Sequence, residues 1–259
     1  MTSTTQHRFD LGDLSYVTSG NGPLVVLIHG VGLQADAWRR QIDALSTEFT
    51  VMAIDMPGHG ASAVPDADMT LADYSDAITS ALPESALVVG HSMGAMIALD
   101  IASRFPEQVR GVAALNSIYK RSAAARDAVM ARAASLDGQA TPDPSAPLDR
   151  WFGDALTPER EACRSWLQDV DPAGYAMAYR VFASADGLSD QQLRSLPCPA
   201  LFVTGSEEPN STPNMSHSMA ALAPKGRAII VDDAAHMMPM THARQVNTAL
   251  QEFAREVFQ

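Results

Sequence analysis

Short apolar runs bounded by turn residues recur along this 259-residue chain. The first is residues 24–29 (LVVLIH), framed by Gly20-Asn21-Gly22-Pro23 on one side and by Gly30 and Gly32 on the other. Residues 50–55 (TVMAID) and 86–90 (ALVVG) repeat its character, and further runs follow at 109–116, 200–205 and 228–231. Unbroken apolar runs of this length, rich in β-branched residues, mark strands buried on both faces, as in a parallel sheet. Between them the apolar positions take helical spacing. Residues 35–45 align Ala37, Trp38, Ile42 and Leu45; residues 71–82 align Leu71, Tyr74, Ile78 and Leu82; residues 92–105 carry Met96, Ile97, Leu99, Ile101 and Phe105. This alternation predicts βαβ units, and hence an α/β fold with a mostly parallel sheet and helices on both faces.

The alternation stops after Asn116. Residues 117–196 show no strand signature; they hold Ala/Arg-rich helical stretches at 122–136 and 158–170 and a Pro-rich breaker at 141–147. A helical insertion over 117–196 is expected, dividing one core domain into a first part, 1–116, and a second, 197–259. The chain closes on a long helix predicted over 244–258. Its length suits one domain with an insertion better than two domains.

Composition narrows the function classes. An apolar content of 46% suits a well-filled interior, and no window approaches the roughly 18 uncharged apolar residues of a membrane span. The first ten residues are polar and lack the apolar stretch of a secretory leader, so a soluble, cytoplasmic protein is expected. A formal charge of −12, with Lys and Arg scattered, speaks against nucleic acid and against an anionic membrane surface as partners. Cys163 and Cys198 stand far apart and outside any metal-ligand spacing, so neither a disulfide framework nor a zinc site is expected.

The most informative stretch is Gly90-His91-Ser92-Met93-Gly94, between a predicted strand and a predicted helix. In that context G-x-S-x-G is a nucleophile elbow. The chain turns so sharply that the serine takes a strained conformation, and side chains at either glycine would strike the neighbouring strand and helix. The hydroxyl is left at a helix N-terminus, where free N–H groups favour developing negative charge.

A serine needs a base. Of the seven histidines, His7, His217 and His242 lie in polar surroundings and read as surface, His29 and His59 as braces of the loops after strands, and His91 as a packing or hydrogen-bonding neighbour of the nucleophile. His236 follows the run 228–231 and a short loop, at the carboxyl edge of the sheet where open α/β folds bind ligands. It is the candidate base. Asp55-Met-Pro-Gly-His-Gly-Ala-Ser62 combines Asp, His and Ser but offers no elbow, and reads as a structural turn.

Taken in order, His29-Gly30, Asp55 to Ser62, Gly90 to Gly94, a helical insertion, Thr204-Gly-Ser-Glu-Glu-Pro-Asn-Ser-Thr-Pro213 and Ala235-His236 resemble the α/β-hydrolase superfamily over nearly the whole chain. The resemblance implies an eight-stranded, mostly parallel sheet and a Ser, acid, His triad in that chain order. It implies an oxyanion hole from the backbone N–H groups of Val31 and Met93. In similar hydrolases the acid loop reads Gly-x-x-Asp; here Glu208 occupies the aspartate position, with Glu207 and Asp233 as alternatives. Asn116 stands where some relatives carry the acid, and it has no charge.

The class implies cleavage of an ester or lactone bond in a small molecule through an acyl-enzyme, without cofactor or metal. The insertion resembles the helical lids of enol-lactonases, carboxylesterases and carbon–carbon bond hydrolases. Trp38, Tyr119, Trp151 and Met237 are candidate substrate contacts, with Met130, Phe152, Trp166, Tyr175, Met177 and Tyr179 of the insertion and Val31 of the core as further lining residues. Carbon–carbon bond hydrolysis, cofactor-free perhydrolysis and a small-molecule receptor role are the competing readings on the same apparatus.

Overall fold

Eight strands form one sheet in the computed structural model, which describes residues 7–259. They are β1 (His7–Leu11), β2 (Leu14–Ser19), β3 (Leu24–Ile28), β4 (Thr50–Ile54), β5 (Ala86–His91), β6 (Val109–Leu115), β7 (Ala200–Gly205) and β8 (Gly226–Val231). Their spatial order is β1-β2-β4-β3-β5-β6-β7-β8. The pairings from β4–β3 through β7–β8 are parallel, and β1–β2 and β2–β4 are antiparallel.

All six apolar runs are strands, each within two residues of its predicted ends. The antiparallel pair was not anticipated, because β1 is exposed along its whole length and has no apolar run to betray it. Its legible signal is Gly12-Asp13, a two-residue hairpin turn with Gly12 at φ 61°.

Strand alternation sorts the sheet into two apolar layers. Val26, Ile28, Met52, Ile54, Val88 and Val112 face one side, with α2 (Leu71–Ser80), α3 (Met93–Arg104) and α9 (Pro213–Leu222) packed over them. Val25, Leu27, Val51, Ala53, Leu87, Val89 and Leu201 face the other, against Trp38, α1 (Arg39–Leu45), Met238 of the short α10 (Met238–Thr241) and α11 (Ala243–Val257). The single helix predicted over 35–45 is a 3₁₀ turn, Ala35–Trp38, followed by α1. In α11 the buried set Ala243, Val246, Ala249, Leu250, Phe253 and Ala254 follows the helical period.

Five helices lie between β6 and β7: α4 (Ala123–Ala134), α5 (Ser145–Phe152), α6 (Pro158–Asp169), α7 (Pro172–Ser184) and α8 (Asp190–Arg194). Two of them match the stretches read from sequence. α5, α7 and α8 add to these, and the last two carry start signals the sequence displays: Asp171 caps α7 ahead of Pro172, and Ser189 with Gln192 forms a capping box on α8. A third apolar cluster joins this segment to the core, where Leu148, Cys163, Leu167, Val170 and Tyr175 pack on Leu33, Ala37, Met237 and Met240. Among the described residues no helix is long and apolar enough to cross a membrane.

Candidate active site

The turn from β5 into α3 sets Ser92 at φ 58°, ψ −119°, a conformation costly for a residue with a Cβ. Contacts around the elbow show what holds it. A Cβ on Gly90 would lie 2.0 Å from the Gly94 carbonyl oxygen, and one on Gly94 would lie 2.2 Å from that of Ile28 in β3. Helix α3 can therefore start directly against the sheet, leaving Ser92 half-buried with Gly30 beside it; a Cβ on Gly30 would meet Ser92 Cβ at 2.9 Å. The Ser92 N–H donates to Leu115 O at 2.9 Å, so the elbow is tied to the end of β6.

His236 follows β8 on the loop 232–237. Its Nδ1 donates to Glu208 Oε2 at 2.7 Å, an arrangement that in the neutral imidazole leaves Nε2 as the acceptor nitrogen. Of the three carboxylates considered for this partner, Glu208 is buried, whereas Glu207 and Asp233 are exposed. The extra methylene of glutamate is accommodated by a turn after β7, where the Glu208 N–H donates to Gly205 O and the Asn210 and Ser211 N–H groups reach Glu208 Oε1 at 2.8 and 3.3 Å. Burial pushes the Glu208 carboxyl up; the imidazole of His236, its hydrogen bond and those two N–H groups outweigh burial and hold it below the usual glutamate value.

His91 and Asn116 complete the frame. His91 Nε2 donates to the His236 carbonyl at 2.8 Å, with its ring 4.8 Å from the His236 ring and edge-on to Trp38. Burial and the neighbouring His236 push His91 down to about 3, so it is a neutral donor at physiological pH. Asn116 Nδ2 donates to the same carbonyl at 2.7 Å. As an acid Asn116 lacks a charge; its role as a donor depends on a loop 120 residues away and leaves no local signal.

Val31 follows Gly30 on the loop after β3, and Met93 is the first residue of α3. Among the described residues neither N–H has a protein acceptor. His29 braces the Val31 loop, with Nδ1 donating to Gly30 O at 2.8 Å and Nε2 accepting the Met56 N–H at 3.0 Å. The Asp55 segment is structural: buried Asp55 accepts the Ala35 and Ala61 N–H groups and pairs with Arg8, while Ser62 Oγ donates to Asp55 O.

The proposed substrate contacts separate. Trp151 of α5 stacks on His236, ring centroids 5.5 Å apart at 21°. Met237 is buried beside it in the third apolar cluster. Trp38 is buried in the core layer against His91, and Tyr119 is buried with its hydroxyl donating to Asp190 at 2.6 Å. Met130 and Met177 line a separate groove of about 470 Å³ between residues 68–71, α4 and α7, which includes no residue of the Ser92–His236–Glu208 set.

Tyr175 lies over the Val31 loop, with Cε2 2.9 Å from where a Cβ on Gly32 would be, and stacks on Tyr179. Burial raises both phenols, and guanidinium charge acts against it: Arg132 and Arg150 at Tyr175, and Arg150, Arg132 and Arg121 at Tyr179. Among the described residues no His, Cys, Asp and Glu cluster could hold a metal ion.

This geometry agrees with what the chain is similar to. The model of the alpha/beta hydrolase family matches residues 25–249. The chain is 40% identical over 242 residues to (E)-2-((N-methylformamido)methylene)succinate hydrolase of Acinetobacter baylyi, spanning 91% of this chain and 92% of that protein. It is 30% identical over 247 residues to a pimeloyl-[acyl-carrier protein] methyl ester esterase of Xanthomonas campestris, spanning 90% and 96%. A thermophilic esterase from Thermogutta terrifontis shares the fold, at a TM-score of 0.86 and 24% identity over 98% of this chain and 100% of that one. With a family match over most of its length and hydrolases among its relatives, the chain is an enzyme of the α/β-hydrolase family.

Proposed function

We propose that this enzyme is a serine hydrolase that cleaves an acyl bond, an ester, a lactone or an activated N-acyl linkage, in a small molecule bearing a carboxylate. The observation that carries the reading is the 2.7 Å bond from His236 Nδ1 to buried Glu208, together with a serine held at φ 58° whose chain neighbour His91 packs its ring 4.8 Å from that of His236. In that arrangement His236 Nε2 takes the Ser92 proton as Oγ attacks the acyl carbon. Glu208 stabilises the imidazolium without taking its proton. The tetrahedral oxyanion is received by the Val31 and Met93 N–H groups, each worth roughly 3–4 kcal/mol to the transition state. The imidazolium then protonates the leaving group. Water, deprotonated by His236, releases the acid and frees Ser92.

Helices α4 to α7 serve as a cap: Trp151 covers His236, and Tyr175 covers the Val31 loop. Arg132 of α4 and Arg150 of α5, whose charge is felt at Tyr175 and Tyr179, are the candidate partners of a substrate carboxylate in a protein whose net charge of −12 would otherwise repel one. The name of the Acinetobacter relative's substrate, a succinate carrying an N-acylated aminomethylene group, fits that chemistry.

The test uses p-nitrophenyl acetate and (E)-2-((N-methylformamido)methylene)succinate as substrates. Turnover of many equivalents of either by the wild-type enzyme, and its loss in Ser92→Ala, is the expected result. Retention of activity in Ser92→Ala overturns the serine mechanism; labelling by a fluorophosphonate with turnover near one equivalent points instead to a receptor. Arg132→Met with Arg150→Met is expected to raise KM for the succinate on the order of 10²-fold, as loss of charge-assisted hydrogen bonds predicts, and to leave the acetate ester nearly unaffected.

A further inference from the structure

We infer that Asn116 is a positioning residue of this reaction, its amide locking the base loop and the acid loop to the strand beside the nucleophile. The inference rests on the assignment of Ser92, His236 and Glu208 made above. Asn116 directly follows β6, the strand between β5, which delivers Ser92, and β7, which delivers the Glu208 loop. Its side chain is buried and used at both ends: Nδ2 donates to His236 O at 2.7 Å, and Oδ1 accepts the Gly205 N–H at 3.3 Å. Its own N–H donates to Val203 O at 2.8 Å. One buried amide thus spans β6, the start of the acid loop and the backbone of the base.

The same carbonyl of His236 receives His91 Nε2 at 2.8 Å, so both its lone pairs are occupied by donors adjoining the nucleophile. His91 precedes Ser92 directly, and Leu115, which precedes Asn116, accepts the Ser92 N–H. The nucleophile and its base are therefore fixed to one another through two short links. Asn116 takes φ 50° to reach this position, a conformation asparagine tolerates better than most residues.

Only an amide supplies a donor at one end and an acceptor at the other. Aspartate keeps the shape and accepts from Gly205, but sets a carboxylate oxygen against the His236 carbonyl. Glycine removes the side chain while favouring the observed φ, so that variant keeps the turn and loses only the clamp.

Asn116→Asp, Asn116→Gly and Ser92→Ala would be compared for p-nitrophenyl acetate kinetics, the rate of Ser92 labelling by a fluorophosphonate, thermal unfolding, and the downfield proton resonance of the His236–Glu208 hydrogen bond. For both Asn116 variants we expect kcat to fall on the order of 10²-fold, the cost of misplacing a catalytic group by about 1 Å, with KM within about twofold. Labelling should slow in parallel, and the downfield resonance should shift or broaden, in protein that unfolds cooperatively. The inference is overturned if folded Asn116→Gly or Asn116→Asp keeps kcat within about twofold of wild type, if KM rises while kcat holds, or if activity falls only in proportion to the unfolded fraction. Activity or labelling that survives in Ser92→Ala would instead sink the assignment of the nucleophile.

Discussion

Of the carboxylates near the turn after β7 and His236, Glu207, Glu208 and Asp233 are the candidate partners of His236, and their environments separate them. Glu208 is buried and bonded to His236, while Glu207 and Asp233 face solvent. Glu208→Gln should therefore lower kcat by about 10³–10⁴-fold with KM little changed, because an amide cannot stabilise the imidazolium and can hold the wrong tautomer. Glu208→Asp withdraws the carboxylate by one methylene and should cost on the order of 10²-fold. Glu207→Gln and Asp233→Asn should leave kcat within about twofold. Steady-state kinetics on the four variants checks the ranking; an Asp233→Asn as damaged as Glu208→Gln would reassign the acid.

At the scale of elements, the elbow depends on backbone meeting backbone. Gly94 lies where any Cβ would enter the Ile28 carbonyl of β3, and neither partner is a flexible side chain that could swing away. Gly94→Ala should cost about 3 kcal/mol or more, a fall in Tm of roughly 6 °C or more by calorimetry. Gly153, at the end of α5, has positive φ but nothing within 4 Å of its missing Cβ. Gly153→Ala should cost only about 1 kcal/mol, the backbone strain by itself. Similar losses for the two would mean that strain rather than close approach governs the elbow.

For the molecule as a whole, three buried histidines couple folding to pH. Burial, and the neighbouring His29, push His59 down to about 3; burial and His236 bring His91 to about 3; burial lowers His29 as well. Each imidazole binds a proton near pH 6.5 when unfolded, but when folded only well below that. The unfolded chain therefore holds more protons in the interval between, and stability rises with pH across it. Stability should be complete above about pH 6.5 and decline as the pH falls toward 3. The depressed Glu208 carboxyl adds a loss in the same direction below about 4.5. Urea unfolding at a series of pH values checks this; in His59→Gln the slope between pH 6 and 4.5 should be smaller by about one proton.

Much of this architecture was legible in the sequence because local pattern and burial coincide in it. Strands buried on both faces must be continuously apolar, so β3 to β7 announced themselves; the largely half-buried β8 did so through its apolar residues 228–231. A serine at an elbow needs glycines at fixed offsets, so Ser92 was readable, as was His236 once it was placed after a strand. What sequence left open is set by contacts between distant segments. The exposed β1 owes its place to pairing with β2, not to its own hydrophobicity. The choice of Glu208 over its neighbours depends on which side of a turn is buried. The double use of Asn116 and the stacking of Trp151 on His236 join residues on different elements. The order of the elements, and Ser92 and His236 as the residues to look at, could be read from the chain alone; which carboxylate pairs with His236 and what holds it there follow from the fold, because packing distant loops together is what pairs and buries those groups.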